Sequence, residues 1–78
     1  MPVSQEVLDQ WEREYNEGRM EFGLDVDESN SADEIEHALK AFAHHHSFAI
    51  NISSRTVVDP ESGQPREVVR GRRLVAPP

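Results

Sequence analysis

The sequence predicts an α+β fold with the element order α-β-α-β-β, on three observations. Ile35, Ala38, Leu39, Phe42 and Ala43 fall at i, i+3, i+4, i+7 and i+8, one face of a 3.6-period helix. Two other stretches switch to period two: Met20, Phe22, Leu24 and Val26 in one, Phe48, Ile50 and Ile52 in the next. Between the last two β-patterned runs lies Asp59-Pro60-Glu61-Ser62-Gly63, where Pro60 presets a negative φ and Gly63 supplies a positive one to close a hairpin.

Taken in order, Met1-Pro2-Val3 reads as a short disordered start. Ser4 is an N-cap for a helix over about 4–17, with Val7, Leu8, Trp11 and Tyr15 as its apolar stripe. Gly18 suits the left-handed residue just past the last turn. The first strand covers about 19–26, with Glu21, Gly23 and Asp25 facing outward. Asp27-Glu28-Ser29-Asn30 is a polar link to the second helix, about 31–45. There Ser31 and Glu34 form a capping box, and Asp33, Glu34 and Glu36 favour the positive end of the helix dipole.

The second strand, about 47–58, carries Asn51, Ser53 and Arg55 on its polar side. The third, about 66–75, has no cleanly apolar face, and Gly71 marks a bulge or a close backbone approach. Ala76-Pro77-Pro78 stops the ladder. A crossover helix makes the first two strands run the same way, and the hairpin makes the third run against them. The expected product is one small domain over 1–78. It has a three-stranded mixed sheet, the last strand between the other two, and two helices packed on one face.

Seventy-eight residues form a small core with a thin margin of stability. The chain has no cysteine, hence no disulfide and no thiolate zinc site. No apolar run is long enough to span a membrane, and the basic-then-apolar signature of a signal peptide is missing, so a cytoplasmic protein without a membrane role is expected. The net charge of −7 is unevenly placed. Residues 1–39 hold 12 acids against Arg13 and Arg19, while residues 40–78 hold six bases against three acids.

Candidate chemistry is sparse. No G-x-S-x-G and no glycine-rich phosphate loop occur, so the protein is not expected to be an enzyme. His37, His44 and His45 share helical spacing with Asp33 and Glu34 and allow a metal set or a pH-sensitive surface to be drawn. Yet no HExxH occurs, and His45 and His46, being adjacent, should diverge. Surface and capping roles for these histidines are therefore expected, with no metal and no cofactor.

The acidic half points to an interaction surface. Glu6, Asp9, Glu12, Glu14, Glu17, Glu21, Asp25, Asp27 and Glu28 would imitate a phosphate array and dock on a basic, nucleic-acid-handling protein, with Trp11 and Tyr15 as partly buried anchors. The composition is analogous to that of small acidic α+β inhibitors encoded by phages and mobile elements. The leading expectation is thus an inhibitor or adaptor, with a homodimer as a further possibility. The alternative is a nucleic-acid binder using Arg55, Arg66, Arg70, Arg72 and Arg73, which the overall acidity disfavours.

Overall fold

In a computed structural model, which describes residues 3–74, the hydroxyl of Ser4 accepts from the Val7 amide and opens helix α1 (Gln5–Asn16). Gly18, at φ 85°, closes it. The Gly18 amide donates to Tyr15 O and the Arg19 amide to Glu14 O, the paired bonds of a Schellman end. Strand β1 (Glu21–Asp25) follows. Helix α2 (Ala32–His45) starts on the capping box: Glu34 N donates to Ser31 Oγ, and the Glu34 carboxylate accepts from Ser31 N. Strands β2 (Ala49–Val58) and β3 (Pro65–Leu74) form the hairpin, closed by Gly63 at φ 69°.

The sheet order is β1-β3-β2. Both ladders are antiparallel, which corrects the expectation of a mixed sheet. The physical reason is the central place of β3: β1 and β2 run the same way but never pair. The weak apolar character of β3 is reconciled with that place by Val69 and Gly71. Both are buried on the side facing α2, where a larger residue at 71 would have no room.

The core gathers Val3, Trp11, Phe22, Ile35, Leu39, Phe42 and Val69. Val3 is buried, contrary to the expected disorder at that position, while Met1 and Pro2 lie outside the described residues. So does Val75, the last residue of the expected third strand, along with Ala76-Pro77-Pro78. Helix α2 supplies Ile35, Leu39 and Phe42 against the sheet, and α1 reaches the sheet at the margin of β1 through Trp11. An aromatic cluster ties the elements together. Phe42 meets Trp11, Tyr15, Phe22 and Phe48 with ring centroids 5.1–6.1 Å apart, close enough for edge-to-face attraction. Past β1 the hairpin runs on into solvent, and Val58 there is 62% exposed. Among the described residues no helix is long and apolar enough to cross a membrane.

Candidate functional surfaces

The carboxylates singled out above fall into three groups. The first is compensated. Asp25 meets Arg66 at 3.0 Å and Glu21 lies 4.0 Å from Arg70, each pair joining β1 to β3 on the outward sheet face. Glu12 accepts from His46 at 2.7 Å, and Glu17 lies 3.7 Å from Arg19. The second group builds a turn: Asp27 Oδ1 accepts from the amides of Ser29 and Asn30 at 2.8 and 3.0 Å, an Asx turn that aims the chain into α2. The third is open. Glu6, Asp9 and Glu14 on α1, and Glu28 in the link, meet no lysine or arginine within ion-pair distance among the described residues. Among the described residues Asp9 accepts from Gln5.

Trp11 is buried and Tyr15 half-buried, both packed against other elements of the chain. Trp11 is 1% exposed and spends its indole N–H on Gly23 O. The Tyr15 ring is stacked on His46 at 4.1 Å and in contact with the Arg73 guanidinium 4.6 Å from its centroid. Their neighbours make them anchors of α1 within the molecule.

The arginines separate as well. Arg55, Arg70 and Arg72 line a shallow depression on the outward sheet face together with Glu21, Asn51, Ser53 and Val68. Arg66 joins that face through Asp25. Arg73 points to the opposite side. Its guanidinium lies over Tyr15 and Phe48 and donates to Arg19 O at 3.4 Å, an arrangement worth more to packing than to any ligand.

The histidines depart most from the sequence reading. His37 and His44 are exposed on α2. His45 and His46, expected to diverge, converge with Glu12, so that one donor atom from each lies within 4.8 Å of the others. The cause is the end of the helix. His46 is the C-cap, at φ −96° and ψ 4°, and Ser47 turns left-handed at φ 59°. The 100° step between neighbouring helical side chains no longer applies there. Helical spacing also gave no sign of Glu12, which comes from another helix.

Beside this cluster an apolar groove of about 350 Å³ runs between α1 and α2. Val3, Leu8, Ala38, Ala41 and Phe42 form its walls, and Glu12, His37 and His45 stand at its rim. Comparison with protein-family models, with curated proteins and with solved structures gives no match.

Proposed function

We propose that the protein is a small acidic interaction module, an inhibitor or adaptor that docks the outward face of α1 on a basic, nucleic-acid-handling protein. The observation that carries this reading is the uneven compensation of charge. The sheet carboxylates Glu21 and Asp25 face arginines of their own chain, whereas Glu6, Asp9 and Glu14 of α1 have no basic partner among the described residues. Glu6 and Asp9 lie on the exposed side of the helix, next to Arg13, and Glu14 is half-buried at its flank. Unneutralised carboxylates held on a rigid helix make a field that steers a basic partner and imitates a row of phosphates. In this reading Trp11 and Tyr15 act by fixing α1.

The test is a pull-down from the native host lysate at low and moderate salt. A basic nucleic-acid-handling protein should be retained at low salt and shed at moderate salt. Recovery of nothing beyond the protein itself overturns the reading.

A second reading rests on one observation, the grouping of Arg55, Arg70 and Arg72 with Asn51 and Ser53 on the outward sheet face. Such a face would track a phosphate backbone, and the log of its affinity for DNA or RNA would fall with the log of salt concentration. Absence of binding at low salt removes it.

A further inference from the structure

We infer that Glu12, His45 and His46 form a binding site for a divalent transition-metal cation of the zinc type, which joins α1 to the end of α2. The inference stands on geometry independent of the acidic face of α1.

Two imidazoles and one carboxylate are a borderline nitrogen and oxygen donor set, suited to zinc, nickel or copper and poorly suited to magnesium or calcium. Tetrahedral zinc with bonds of about 2.0–2.2 Å holds its ligands about 3.3 Å apart. Here His46 Nε2 and Glu12 Oε1 are 2.7 Å apart, and the three donor atoms all lie within 4.8 Å of one another. The cation therefore asks for a small opening of the Glu12–His46 pair and an inward swing of His45. That swing meets little resistance, because His45 is exposed.

The His46 donor is already held, with Glu12 hydrogen-bonded to it. The His46 ring stacks on Tyr15 at 4.1 Å and meets Phe42 edge-on at 4.7 Å, which leaves its side chain 17% exposed and its Nε2 turned to Glu12. The Glu12 side chain is 40% exposed and rises from the helix on the other side. Fixing ligands beforehand lowers the ordering cost of binding. The partial burial strengthens attraction to the cation, since screening falls away from water. Glu12 and His45 also line the groove between α1 and α2, so a cation held by them would sit beside it. Glu12 lies more than thirty positions from His45 and His46 in sequence, so the bound ion fastens α1 to the end of α2 and stabilises the folded form by mass action.

The experiment is calorimetric titration of the full, untagged chain with zinc chloride in a buffer that does not chelate, followed by thermal melts with zinc and with EDTA. One ion per chain should bind, and zinc should raise the melting temperature reversibly. His45→Ala and Glu12→Gln change residues outside the core and should each weaken affinity tenfold or more. His37→Ala and His44→Ala should leave it unchanged. The inference is overturned if zinc does not bind, if His45→Ala and Glu12→Gln bind as the wild type does, or if His37→Ala or His44→Ala abolishes binding. Circular dichroism of each variant without metal separates loss of ligands from loss of fold.

Discussion

The indole N–H of Trp11 donates to the backbone carbonyl of Gly23 at 3.3 Å. In the β1–β3 ladder Met20 O accepts from Arg73 N, and Val26 N donates to Glu67 O. The even-numbered residues of β1 thus face β3, and Gly23 turns its carbonyl to the free edge. Trp11 meets that carbonyl. An edge strand is open to pairing with another chain, and α1 covers part of this one.

Replacing Trp11 with Phe keeps an aromatic ring but removes the donor and part of the packed volume. The expected loss of stability is about 2 kcal/mol. Because Trp11 is the single tryptophan, the unfolding midpoint in denaturant is followed by circular dichroism rather than by fluorescence. An unchanged midpoint would mean that the indole contributes nothing to holding α1 on β1.

Gly71 gives a second prediction. A Cβ built there collides with the Ile50 side chain and comes within 3.4 Å of Leu39 Cδ1. Gly71→Ala should therefore destabilise by about 1–3 kcal/mol through overpacking. The nearest atom is the tip of Ile50, so trimming it to Val should relieve the strain. In a double-mutant cycle Ile50→Val should cost less in the Gly71→Ala background than in the wild type. Strict additivity would place the strain elsewhere.

These two positions show what the sequence makes legible. Helix α2 was readable because its apolar residues repeat over two turns and its capping box is local. The central place of β3 followed from connectivity and the hairpin. Pairing between distant residues was not readable. Nothing in the pattern of α1 says that Glu12 meets His46, or that Trp11 reaches Gly23 rather than a partner. The arginines of β3 alternate so that Arg66, Arg70 and Arg72 share a face and Arg73 takes the other, but only the packed rings of Tyr15 and Phe48 explain how a guanidinium is held on the core side. Ser47 was unreadable for a different reason: serine gives no warning of a positive φ.

Ser47 holds φ 59° at the position after the C-cap of α2. Its amide donates to His44 O and that of Phe48 to Ala43 O, so the Schellman end forms without the glycine that usually serves it. The left-handed conformation costs a non-glycine residue about 1–2 kcal/mol, against an entropic cost of about 0.5–1 kcal/mol for glycine. Ser47→Gly should therefore stabilise by roughly 0.5–1 kcal/mol, read as a rise of several degrees in melting temperature for a domain of this size. A fall would show that the serine side chain contributes more than its backbone strain costs.

The two acidic regions should differ in their effect on association. Glu21 and Asp25 lie beside Arg70 and Arg66, so their field is largely cancelled at a distance. Both pairs are about half exposed, and each should contribute less than about 1 kcal/mol to stability. Glu6, Asp9 and Glu14 have no such ion-pair partner among the described residues, and their field extends about a Debye length into solvent, roughly 10 Å at 0.1 M salt. Neutralising these three to Gln, Asn and Gln should slow association with the basic partner by about tenfold at low salt and leave dissociation nearly unchanged. Glu21→Gln with Asp25→Asn removes charge from the outward sheet face, away from the proposed docking helix, and should slow association less. Surface-based kinetics at two salt concentrations measures both variants. Equal slowing by the two would assign the docking surface to the acidic molecule as a whole, and slowing by the sheet pair alone would move it from α1 to the outward face of β1.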